Sequence, residues 1–158
     1  MNDWWIHKDW AWANPTDNEL EDLRAQGFAV MISLLDEQQQ QPRYNVADAE
    51  RAGWLRHVLL VREGEAPSLG QLERFRKIIQ AVPPNAKVLI HCSTGLGRAA
   101  TFGAAYWIVQ GNSATEAIKC IEEAGYQDWE TPARKVVLGE FAEHRNQEAQ
   151  RSDKGAMT

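Results

Sequence analysis

The chain has 158 residues, 44% apolar and 25% charged, which suits one globular domain with a real core and excludes a disordered chain. A net charge of −5 argues against a nucleic-acid surface, normally basic, while leaving room for a local anion site. No apolar run is long enough to cross a bilayer, and the first residues lack a basic segment followed by an apolar one, so a cytoplasmic protein with no membrane partner is expected.

Trp4, Trp5, Trp10 and Trp12 crowd the start of the chain and read as a cap on a core edge rather than a ligand platform. Thr16-Asp17-Asn18-Glu19 has the spacing of a capping box and opens a short helix that Gly27 can close. The apolar run Phe28 to Leu35 predicts a buried strand, and the polar stretch Asp36 to Pro42 a loop. Asn45 caps a short helix ending near Gly53, and Val58 to Val61 predicts a second strand. After the loop Arg62 to Ser68, Ser68 caps a helix whose Leu72, Phe75, Ile78 and Ile79 share one face. Pro83-Pro84-Asn85 turns the chain into the strand-like Lys87 to Ile90, and Arg98 to Gln110 is helical in pattern. Ser113 to Glu116 is another capping-box pattern, with Gly125 placed to end its helix, and Thr131-Pro132 opens a last helix. Strands interleaved with helices predict a single-domain α/β fold, a central, mostly parallel sheet flanked by helices. The domain is expected over residues 1–145, and the polar residues 146–158 are expected to form a disordered tail.

The chemistry concentrates in His91-Cys92-Ser93-Thr94-Gly95-Leu96-Gly97-Arg98. Between a strand and a helix, successive N–H groups from Ser93 to Arg98 can curl into an anion-binding nest at the positive end of the helix. Gly95 and Gly97 permit close backbone approach, and Arg98 offers a planar fork to two phosphate oxygens. The same dipoles would hold Cys92 as a thiolate nucleophile. A zinc site built on His91 and Cys92 is disfavoured, since adjacent strand residues point apart and no second ligand pair exists. The nucleotide-binding GxxxxGK[ST] pattern is absent too. Neither metal nor cofactor is expected. Cys120, the other cysteine, sits at helical spacing among apolar residues, so no disulfide framework is expected.

The run His91 to Phe102 resembles the HCxxGxxR signature of protein tyrosine phosphatases. The short chain and the segment Val61 to Ser68 resemble the small dual-specificity branch, with the likeness extending over most of residues 5–145. The resemblance implies a phosphatase acting on phosphomonoesters, phosphotyrosine and also phosphoserine or phosphothreonine on proteins, through a phosphocysteine intermediate. It implies Cys92 as nucleophile, Arg98 as transition-state clamp, and Ser93, Thr94, Gly95, Leu96 and Gly97 as phosphate-binding positions. His91 would orient the loop and help lower the thiol pKa. Glu63 falls where relatives carry an aspartate as general acid, with Glu65 and Asp36 as weaker substitutes. Ala99 replaces the serine or threonine that usually eases departure of the thiolate, which implies slow turnover of the intermediate. Glu130 falls where relatives position the attacking water, and reads equally as a charge favoured at a helix N-terminus. No basic residue stands at Ser93, Thr94 or Leu96, so a protein or aryl phosphate is expected over a phosphoinositide or RNA end. The departures at Glu63 and Ala99 keep a second reading open, a phosphate-binding module or weakened enzyme.

Overall fold

The computed structural model describes residues 15–92 and 97–156, with side chains as far as residue 151. The N-terminal tryptophan cluster and the loop positions Ser93, Thr94, Gly95 and Leu96 lie outside the described residues. Three strands, β1 (Phe28–Ser33), β2 (Leu55–Val58) and β3 (Lys87–His91), form a parallel sheet in the order β2-β1-β3. Among the described residues six helices accompany it: α1 (Asp17–Ala25), α2 (Val46–Arg51), α3 (Leu69–Ala81), α4 (Gly97–Val109), α5 (Ala114–Glu123) and α6 (Pro132–Ala156). This is the expected α/β class.

Period-two alternation along the strands divides the core between two faces. Val30, Ile32, Val88 and Ile90 pack with α3 to α6, alongside Leu72, Phe75, Phe102, Ile121 and Phe141. Met31 and Leu89 face the other way, onto Leu20 and Leu23 of α1, Ala49 of α2, and Tyr44 and Trp54. Phe28 joins this second face although it is an even number of residues from Val30. The register shift between Phe28 and Val30 in the β1–β3 pairing accounts for the switch.

Each expected helix start is present. Thr16, Asn45, Ser68 and Ser113 all cap through their side chains, accepting from the backbone N–H three residues on. The reciprocal capping box occurs at Ser68, where the Gln71 side chain accepts from the Ser68 N–H at 2.9 Å. At Thr16 and Ser113 the glutamate meets the cap's own hydroxyl, at 3.1 Å in both cases.

Two expectations need correction. The second strand covers Leu55–Val58, not Val58 to Val61. It is an edge strand with exposed or half-buried residues throughout, so apolar density does not mark it. The apolar residues beyond it still follow β1, Leu59 N–H donating to Ser33 and Val61 N–H to Leu34. Helix α6 also continues to Ala156, past the point where composition suggests a tail. Ties to the rest of the fold explain its length: Arg145 donates to the carbonyls of Ile108 and Asn112, and Glu148 pairs with Arg76 of α3.

Helix α4 runs through the centre of its layer, touching α3, α5, α6 and β3. It is buried on nearly every side, and Ala99, Ala100, Gly103, Ala104 and Ala105 keep it slim enough to be surrounded. Its first turn is therefore held firmly against the end of β3.

Candidate active site

In an open parallel sheet, ligands bind beyond the C-terminal ends of the strands. Cys92 directly follows β3 at that edge, fully buried in the larger core cluster. Gly97 and Arg98 open α4 opposite, so the five-residue spacing returns the chain to the same place. Arg98 is only 4% exposed, and its Nη1 donates to the Val61 carbonyl at 3.0 Å. That bond attaches the start of the 61–66 loop to the first turn of α4.

Glu63 is exposed on this loop and, with Arg98, lines a cleft of about 430 Å³ that Asp36, Gln39, Gln40 and Arg62 complete. The fold thus brings together the two residues assigned by resemblance to grip phosphate and donate a proton. Asp36 shares the cleft and remains a competitor. Glu65 is not among its lining residues, and its backbone is bonded elsewhere.

His91 is fully buried behind Cys92. Its Nε2 lies 2.8 Å from the Tyr44 hydroxyl, with the rings edge to face. The Tyr44 oxygen accepts from Arg56 Nε at 2.9 Å, and Arg56 pairs in turn with Glu37, which accepts from the Ser33 hydroxyl at 2.9 Å. Burial pushes the Tyr44 phenol pKa upward, so Tyr44 keeps its proton. Burial, reinforced by the Arg56 charge and opposed by a bond to the Cys92 backbone, pushes the His91 pKa down to about 3. His91 is therefore neutral near pH 7. It brings no positive charge to the thiol, which narrows the role expected of it.

Ala99 is fully buried and carries no hydroxyl. The Thr101 hydroxyl, three residues after Arg98, donates to the Gly97 carbonyl at 2.6 Å. Glu130 is half-buried and engages Glu122 of α5: a hydrogen bond from Glu122 holds the Glu130 pKa below its ordinary value, and the same bond holds Glu122 above. The group that reaches the site from this region is Arg134. It is buried, and its pKa is depressed first by burial and next by the Arg98 charge, with Cys92 acting in the opposite sense.

Sequence reasoning missed Tyr44, Arg56 and Arg134. The first two look like ordinary loop and edge-strand residues, and Arg134 like a charge on the first turn of a helix. Gly97 held the available signal, because a methyl group there would overlap the Arg134 guanidinium.

A parallel sheet with a cysteine closing β3 and an arginine opening the next helix defines the tyrosine-phosphatase class of fold. Residues 7–112 match the family described as Tc-R-P, polymorphic toxin system, DSP-PTPase phosphatase. The chain belongs to this family of small dual-specificity-like phosphatases in the protein tyrosine phosphatase superfamily. It is similar to Tk-PTP in its active form, with 31% identity and a TM-score of 0.71 over 82% of this chain and 87% of that one. PTPMT1 in complex with PI(5)P shares the fold at 22% identity, TM-score 0.75, over 88% of this chain and 94% of that one. Human DUSP28 does so at 19% identity, TM-score 0.63, over 82% and 84%. Among curated proteins, none matches this chain. No helix among the described residues is long and apolar enough to cross a membrane.

Proposed function

We propose that the chain hydrolyses phosphomonoesters, with phosphorylated protein side chains or aryl phosphates as substrates, by covalent catalysis at Cys92. The observation that carries this reading is the meeting of Arg98 and Glu63 in one cleft beside the end of β3.

The Cys92 thiolate attacks phosphorus as the ester P–O bond breaks. Arg98 holds two equatorial oxygens and offsets charge that grows in the transition state. Glu63, as the carboxylic acid, passes its proton to the departing oxygen and becomes a carboxylate. A water molecule then attacks the phosphocysteine, its proton returns to Glu63, and the P–S bond breaks to restore the thiolate. The net change is one ester and one water to one alcohol and one phosphate. His91 takes no proton in this scheme, because burial and the Arg56 charge keep it neutral.

Hydrolysis of para-nitrophenyl phosphate and of phosphotyrosine by the wild type, abolished in Cys92→Ser, is the expected result. Retained hydrolysis in Cys92→Ser would sink it. A weakened enzyme that stalls at the phosphocysteine is the second reading. Two observations favour it: the missing hydroxyl at Ala99, and the engagement of Glu130 with Glu122.

A further inference from the structure

Arg134 is placed where neither helix physics nor solvation favours it. A cation in the first turn of α6 opposes the positive end of the helix dipole, and burying a guanidinium costs free energy. Its side chain is nevertheless 7% exposed, with Nη1 donating to the Trp129 carbonyl at 2.7 Å and Nη2 to the Glu65 carbonyl at 3.3 Å. Its guanidinium also lies against Gly97, so closely that a side chain there would have to displace it. One residue thus joins the start of α6, the 61–66 loop and the end of the catalytic loop. Arg98 already holds that loop at Val61. The two arginines grip carbonyls two residues before and two residues after Glu63.

We propose that Arg134 is a positioning residue of the dephosphorylation: by fastening the Glu65 carbonyl against Gly97 it completes a two-point clamp that sets the Glu63 carboxyl over the phosphate site. This rests on the cysteine-phosphatase reading above. Such a clamp matters in proportion to how much the leaving oxygen needs a proton. Phenoxide is a basic leaving group and depends on a well-placed acid, whereas dinitrophenoxide leaves without one.

The test is kcat/KM, which reports cleavage of the ester bond whichever later step limits turnover, for phenyl, para-nitrophenyl and dinitrophenyl phosphates in wild type, Arg134→Met, Arg134→Lys and Glu63→Gln, with thermal unfolding followed in parallel. Arg134→Met is expected to lose about ten-fold or more on phenyl phosphate and less than about three-fold on dinitrophenyl phosphate, as a misplaced general acid requires. Arg134→Lys, which can still reach one carbonyl, should fall between Arg134→Met and wild type, and it carries the comparison if the methionine variant does not fold. Equal losses on all three esters, or none, would overturn the proposal. A flat Glu63→Gln series would overturn Glu63 as the acid, and with it the clamp's stated purpose. A wild type inactive on every ester would instead remove the cysteine-phosphatase reading beneath both.

Discussion

The Tyr44 hydroxyl and His91 Nε2 share a hydrogen bond of 2.8 Å in a buried setting, which anchors the histidine beside the nucleophile. Tyr44→Phe leaves that nitrogen buried and unpaired and removes an acceptor from Arg56. The expected cost is about 1–3 kcal/mol of stability, measured by urea unfolding, together with a several-fold fall in kcat at little change in KM. Unchanged stability would mean that the bond contributes nothing.

Stability should depend on pH through the same histidine. The folded pKa, about 3, lies below the ordinary 6.5, so between these values the unfolded chain binds the proton and the folded chain does not. Stability from this group is complete above about pH 6.5 and declines as pH falls toward 3. At pH 5 the loss from this group should be on the order of 2 kcal/mol. Unfolding of wild type and His91→Asn at pH 7 and pH 5 isolates it, the variant being expected to lose less on acidification. Parallel losses in the two proteins would contradict the neutral, buried histidine.

Glu63 and Asp36 share the cleft with Arg98, and their substitutions separate them. Glu63→Gln is expected to lower kcat/KM on phenyl phosphate by about 10²-fold, with Asp36→Asn close to wild type. The reverse ranking would transfer the acid role to Asp36.

The missing hydroxyl at Ala99 predicts that the second chemical step is the slow one. Rapid mixing with para-nitrophenyl phosphate should show a burst of nitrophenolate followed by a slower steady rate. Ala99→Ser should raise the steady rate and shrink the burst. Identical traces would show that the absent hydroxyl is irrelevant.

A cluster remote from the site tests the length of α6. Glu73, His144 and Glu148 converge, but Arg76 lies among them, 2.6 Å from Glu73 and paired with Glu148, so the group is an ion-pair network joining α3 to α6. Arg76→Ala should speed amide exchange in α6 beyond Arg145 while leaving kcat unchanged. Exchange as slow as in the wild type would show that the network does not hold this end.

The legible parts of this molecule were those that depend on spacing along the chain. Caps at Thr16, Asn45, Ser68 and Ser113 follow from residue type and a three-residue offset, and the Cys92-to-Arg98 interval is itself local. The features missed depend on pairings distant in sequence. Leu55–Val58 is a strand because β1 lies beside it, not because its residues are apolar. Arg134 is a site residue because Glu65, 69 positions earlier, presents a carbonyl to it. Glu130 stands at the interval of a water-positioning group, and its neighbour Glu122 comes from a helix that spacing along the chain does not reveal.

The central claim is that phosphate is transferred to the sulfur of Cys92. Acid quenching during turnover of a labelled aryl phosphate, followed by peptide mass spectrometry, reads this directly. The expected result is phosphate on the peptide containing Cys92, accumulating in the wild type and absent from Cys92→Ser. Turnover with no phosphorylated peptide at any quench time, or with phosphate on another residue, would contradict it.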